Sequence, residues 1–245
     1  MKFFKVKIVS LCLLLGAASA FCQVEKRKIP AKRTSSIIKI DGLLNDSAWA
    51  AAPVADKFIA LRPVPFLEES IDNASKVYFV YDDDGIYAGG YFHEKYKDSI
   101  SSELIGRDGF GNNDFAGLIF DTYGDKLNGF EYFITPLGEQ MDAKVSANNE
   151  DFSWNAVWQS AAKIHNDGWS FEMFIPYAAI RFGKNKIQDW GLNIVRRRQK
   201  SGQQLFWQKI DPNVNGFLTQ EGKLIGLENI KPPLRLQLSP YFHPM

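Results

Sequence analysis

The sequence predicts an all-β sandwich of antiparallel strands with one or two short helices, on three observations. From Ile37 onward short strand-like runs recur between turn residues: "VYFVYDDDGIYAGGYF", "FAGLIFD", "GFEYFIT", "SAAKIH", "GWSFEMFIP", "WGLNIVRRRQ" and "LFWQKI". Their spacing is that of a sandwich rather than of alternating strands and helices. Helical periodicity is scarce, and an aromatic share of 14% supplies ample material for a two-sheet core.

Residues 1–22 read as a secretory signal: Lys2, Lys5 and Lys7, an apolar stretch from Ile8 to Leu15, then small residues. Cleavage after Ala20 or after Cys22 satisfies a small-x-small rule, and the second, leaving Gln23 at the new terminus, is preferred. A lipoprotein signal needs small residues just before Cys22, where Phe21 stands. Residues 23–36, "QVEKRKIPAKRTSS", are basic and polar and read as a flexible leader. The folded domain is expected over 37–228.

Asn45 to Ala52 is the best helix candidate, with Asn45 or Asp46 as cap and Trp49 on board. Val77, Phe79 and Tyr81 alternate before an Asp84-Gly85 turn, and Tyr87 to Phe92 return as the second strand of a hairpin. In "GWSFEMFIP", Trp169, Phe171, Met173 and Ile175 share one apolar face. Glu172 takes the other, where a pair with Arg181 is expected. Pro176 ends that strand, and "YAAIRF" is read as one helical turn or a short helix. Arg196 and Arg198 share one side of a strand and Arg197 the other, so "RRR" makes no basic patch. In 229–245, Pro232 and Pro233 break the pattern. Leu234, Leu236 and Leu238 then alternate with polar residues, as in a membrane β-barrel strand or an edge strand.

Loss of the three signal lysines takes the net charge from +1 to −2, which excludes a charge-driven nucleic-acid partner. Cleavage after Cys22 also removes Cys12 and Cys22, the two cysteines, and with them disulfides and thiolate metal sites. No HExxH, Gly-x-Ser-x-Gly or phosphate-loop motif occurs, and His93, His165 and His243 are isolated. A glycosidase needs two carboxylates across a cleft. Among 28 acids the sequence singles out no such pair, so the chain is read as a non-enzyme.

"IKIDGLLNDSAW", "VYFVYDDDGIYAGGYF", "NDFAGLIFDT", "DGWSFEMFIPYAAIRF" and "WGLNIVRRR", in this order, resemble the family 9 carbohydrate-binding modules and their DOMON-type relatives. The resemblance covers roughly Ile37 to Gly226 and implies an immunoglobulin-like antiparallel sandwich. More narrowly, the chain is similar to the N-terminal module of envelope proteins in which such a domain precedes an outer-membrane β-barrel. That likeness implies secretion into the periplasm or outer membrane of a Gram-negative-type envelope, a glycan or polysaccharide partner, and a role in carbohydrate catabolism or uptake. It also makes the closing segment the start of a barrel. Sugar-binding members clamp a terminal sugar between two tryptophans and bind calcium elsewhere; the nearest aromatics here are Phe110 and Phe217, and neither is tryptophan.

Aromatic faces suit the C–H face of a sugar ring, and polar side chains suit its hydroxyl rim. Phe110 with Arg107, Asp108, Asn112 and Asn113, and Phe217 with Asn213, Asn215 and Gln220, supply both kinds of group. The alternative is that each phenylalanine packs its own loop down. Trp49, Trp169 and Trp190 belong to strands or fold-defining motifs and are expected in the core, whereas Trp154, after "NNEDF", is the third ligand-surface candidate. Calcium is the one candidate ion, through Asp114, Asp121, Asp125 and Glu131 if folding gathers them. Some DOMON-type relatives bind haem through methionine, histidine or lysine; the internal methionines of the mature chain are Met141 and Met173, and Met173 belongs to the apolar face of a core strand, which argues against haem here. Two functions remain open: non-catalytic glycan binding at the loop end carrying Phe110, Trp154 and Phe217, or an interaction module that docks on or gates the barrel.

Overall fold

The computed structural model describes residues 25–146 and 149–232. The signal-like segment, both cysteines, Gln23 and the alternating leucines after Pro233 lie outside these residues.

In chain order the described strands are β1 (Lys28–Pro30), β2 (Val54–Ala55), β3 (Ile59–Arg62), β4 (Ser75–Tyr81), β5 (Gly85–His93), β6 (Phe115–Asp121) and β7 (Asn128–Ile134). There follow β8 (Gln140–Ser146), β9 (Asn149–Asp151), β10 (Gln159–His165), β11 (Gly168–Pro176), β12 (Ile187–Arg198), β13 (Gln203–Phe206) and β14 (Gly222–Glu228). They form two sheets. The larger has the order β1-β14-β12-β6-β7-β8-β9, with β13 bridging β12 to β3, and the smaller has the order β10-β11-β5-β4-β2. Every named pairing is antiparallel except β1 with β14.

Side-chain alternation builds the core. Trp169, Phe171, Met173 and Ile175 of β11 are buried against Leu118 and Phe120 of β6, Tyr132 of β7, and Trp190 and Ile194 of β12. Each such side chain stabilises the fold by roughly 2–3 kcal/mol relative to exposure. The β4–β5 hairpin turns where expected, Tyr81 pairing with Ile86, and the Asp82 carboxylate accepts from the Asp84 and Gly85 N–H groups at 2.8 and 3.0 Å.

The segment that carries "IKIDGLLNDSAW" lies over the outer face of the smaller sheet. Glu172 projects from that face and is fully buried there, accepting from the N–H groups of Asp41 and Gly42 at 3.0 and 2.9 Å and from Trp49 Nε1 at 2.9 Å. The expected pair with Arg181 does not form, because both Glu172 oxygens are taken by these donors. One carboxylate thus ties the Ile-Asp-Gly turn and the motif tryptophan to the strand "GWSFEMFIP".

Three expectations about boundaries and helices are corrected. The sandwich begins before residue 37, since Lys28–Pro30 adds a strand beside β14, Ile29 is buried, and the Arg27 guanidinium donates to the carbonyls of Asp56, Lys57 and Trp207. Basic composition concealed a short edge strand that buries a single side chain. The one or two short helices are isolated 3₁₀ turns among the described residues, Trp49–Ala51, Ile71–Asn73, Lys97–Ser99 and Phe217–Gln220. Asp46 does not cap the first of them; its side chain accepts from the Lys39 N–H and its carbonyl from the Trp49 N–H. Of the two readings of "YAAIRF", the single turn is the one the structure has, closed by the Ala179 N–H on the Pro176 carbonyl.

Candidate functional site

The outer face of the larger sheet is apolar where a solvent-facing sheet is ordinarily polar. Phe115 and Ile119 of β6, Phe133 of β7, Val145 of β8, Val195 of β12 and Phe206 of β13 form a second hydrophobic cluster there, separate from the core between the sheets. Gly117 makes room for it: a Cβ at that position would stand 2.4 Å from the Phe133 ring and 2.6 Å from Val195. Three loop phenylalanines join these strand residues, Phe110 before β6, Phe152 after β9 and Phe217 from the last 3₁₀ turn. Phe110 meets Phe115, Phe133 and Phe152 with ring centroids 5.0, 5.2 and 5.5 Å apart, and Phe217 meets Phe206 at 5.4 Å.

Between the rings lies an open depression of about 250 Å³, lined by both Phe110 and Phe217 with Arg62 and Gln204 at one side and Glu131 and Glu150 at the other. It continues into a second of about 380 Å³ that adds Ser146 and Asn149, and into a third of about 380 Å³ that adds Asp211 and Gln220. Phe217 borders all three. The result is a trough with aromatic walls and a polar rim.

Its floor holds an anomaly. Glu131 faces the trough from β7 between Ile119 and Ala143, its strand partners, and is 2% exposed. Its Oε2 is shut off from solvent with no hydrogen-bond partner. Burial pushes this carboxyl up to about 8, with the charge of Glu150 adding to the shift. Glu150 itself is raised by partial burial.

The residues singled out in the sequence divide between this trough and elsewhere. Phe110 and Phe217, distant in the chain, are brought together. Trp154 is not with them: half-buried on the other side of the sheet, it packs on Phe130 and Tyr132 at 5.4 and 6.3 Å, with Lys144 Nζ 5.3 Å from its ring centroid. Strand parity in β7 explains the separation, because Phe130 and Tyr132 face inward while Glu131 and Phe133 face out.

The loop donors are committed to structure. Asn113 is buried, its side chain accepting from the Glu103 N–H and donating to the Glu103 carbonyl. Arg107 is ion-paired with buried Asp142 and donates to Gln140 Oε1 at 2.7 Å. Asp142 also accepts from the Ala156 N–H and Trp158 Nε1, so it anchors the loop carrying Trp154. Asn112 is exposed, with its main chain held by Glu103 and Ser101. None of Arg107, Asn112 and Asn113 lines the trough.

The acids considered for calcium are dispersed. Asp121 accepts from the backbone of the 123–126 turn, Asp125 from Leu127 and Asn128, and Asp114 from Gln199. Among the described residues no group of three potential ligands is arranged to hold a metal ion.

Missed by sequence reasoning were Phe115, Phe133, Phe152 and Phe206, together with the roles of Glu131 and Glu150. The available signal was "GFEYFIT", an acid inside a strand whose two faces are both apolar.

By sequence the chain matches no family profile and no curated relative. Its shape is shared with solved structures. A family 9 carbohydrate-binding module from Caldicellulosiruptor kristjanssonii in complex with cellotriose superposes with a TM-score of 0.60 at 13% identity, over 87% of this chain and all of that one. The fold is that of the family 9 carbohydrate-binding modules. The same kind of module in complex with glucose gives 0.59 at 14% identity, over 84% of this chain. A proposed carbohydrate-binding protein from Bacteroides uniformis gives 0.64 at 11% identity, over 82% of this chain and 99% of that one.

Proposed function

We propose that this chain binds carbohydrate non-covalently in the aromatic trough, without catalysis. The observation that carries the reading is the convergence of Phe110 and Phe217 on one open depression whose rim offers Arg62, Gln204 and Asn149. Apolar faces flanked by directional polar groups match the two sides of a pyranose ring. The neighbours in complex with cellotriose and glucose support the same ligand class, on the same fold. Because the trough is open along the sheet, it suits a polymer lying across the strands better than a small molecule enclosed on all sides. A signal at residues 1–22 would deliver the module to the cell envelope, where glycan capture would serve catabolism or uptake.

A glycan array and affinity electrophoresis of the secreted protein test this. Phe217→Ala, which removes a half-buried ring in contact with Phe206, is expected to weaken retention about tenfold while the fold survives. Trp154→Ala, on the other side of the sheet, is expected to leave retention unchanged. Equal retention of the Phe217→Ala variant and the wild type would refute the trough as the binding site.

A further inference from the structure

A neutral sugar accounts for the walls and rim of the trough but not for its floor. Glu131 is almost wholly buried and has an unpartnered oxygen, and Glu150 lines the same two depressions. Two acids share an apolar surface, and neither forms an ion pair among the described residues. The cation at the rim, Arg62, stands on β3, which the order β3-β13-β12-β6-β7 separates from β7 by three intervening strands, and it forms no ion pair with either acid. Of the other charged groups on this face, Arg197 on β12 is engaged with Gln199 and Gly202 and Asp121 on β6 with the turn that follows it, while Glu221, beside Asp121, is a further buried acid and offers no counter-charge. A buried acid without a counter-charge is costly, and the missing partner is a cation or a strong donor from outside. The phenylalanine faces favour a cation as well, through the negative potential above an aromatic ring.

Resting on the glycan reading above, we propose that the ligand carries unsubstituted amino groups: an amino sugar whose ammonium sits against Glu131 and Glu150 while its ring lies on the phenylalanine faces. Burial holds the Glu131 carboxyl protonated near neutral pH in the free protein. An arriving ammonium therefore displaces that proton, and binding releases it to the buffer.

The test is titration calorimetry of the secreted protein at mildly acidic pH and physiological ionic strength, repeated in buffers of different ionisation enthalpy. The probes are a fully deacetylated glucosamine hexamer, its N-acetylated counterpart, cellohexaose and a lysine hexapeptide. The glucosamine oligomer is expected to bind at least about tenfold more tightly than either neutral oligomer, with proton release, and Glu131→Gln is expected to abolish both the preference and the release. Glu150→Gln, at an exposed position, is expected to reduce the preference severalfold. A thermal melt of each variant establishes that it is folded. Equal binding of neutral and amino oligomers, unaffected by Glu131→Gln, would overturn the amine assignment and leave the trough a neutral-glycan site. Binding of the lysine peptide as tight as that of the glucosamine oligomer would overturn the sugar and make the ligand a basic peptide. Silence toward every oligosaccharide would refute the glycan reading itself.

Discussion

Glu131→Gln should stabilise the protein, and by an amount that grows with pH. In the native state this carboxyl is 2% exposed and its affinity for a proton is raised from the ordinary 4.5 to about 8. Between those values the folded chain holds a proton that the unfolded chain has released, so stability falls as pH rises through the window and levels off above about 8. Below 4.5 both states are protonated and the group contributes no pH dependence. At neutral pH the gap between the unfolded value and the ambient pH is about 2.5 units, which at 1.36 kcal/mol per unit is a cost on the order of 3 kcal/mol. Glutamine keeps the shape and has no proton to lose, so the variant should match the wild type in acid and exceed it by about that amount at pH 7. Urea unfolding of both proteins across the window measures the difference directly. Subtraction cancels the other raised acids, Glu221 at about 9 and Asp114 at about 6. A difference that stays flat from acid to alkaline pH would refute the burial of an uncompensated Glu131. The cost makes functional sense where a ligand supplies the compensation, since sites that bind charge are often less stable empty than a repacked core would be.

Glu172→Ala should destabilise the fold by about 3 kcal/mol, read as a lower urea midpoint, because it leaves the main-chain N–H groups of Asp41 and Gly42 and the Trp49 indole Nε1–H without their acceptor in a largely buried position. Gly117→Val should cost roughly 1–3 kcal/mol by overpacking and should also weaken glycan retention, since the new side chain meets Phe133 and Val195 on the trough face. Mass spectrometry of the secreted protein should find Gln23 at the amino terminus; a retained Cys22 bearing lipid would refute secretion by cleavage after Cys22.

Much of the sandwich was legible because its signal is local. The alternation in "GWSFEMFIP" assigns Trp169, Phe171, Met173 and Ile175 to one face wherever the strand lies, and the structure buries all four. The same parity separates Arg196 and Arg198, both on Glu94, from Arg197, which turns to Gln199 and Gly202. Parity cannot name the partner, however, and Glu94 lies far back in the chain.

The trough was hidden for a related reason. In "GFEYFIT" both faces of the strand are apolar, so alternation leaves open which face looks into the core and which lines a surface depression. Asn112, Asn113 and Arg107 drew attention because asparagine and arginine beside an aromatic resemble a sugar rim. Yet a glycine-rich loop must satisfy its own backbone and anchor its own charges, and Asn113 and Arg107 are consumed by Glu103 and Asp142. The free hydrogen-bonding capacity lies instead on strands and turns whose convergence is set by sheet order. Gln204 reaches the trough only because β13 pairs with β12, and Glu150 only because β9 closes the far edge beyond β8. A binding surface spread across the middle of a sheet is a product of topology, and its residues carry no spacing by which a sequence could announce them.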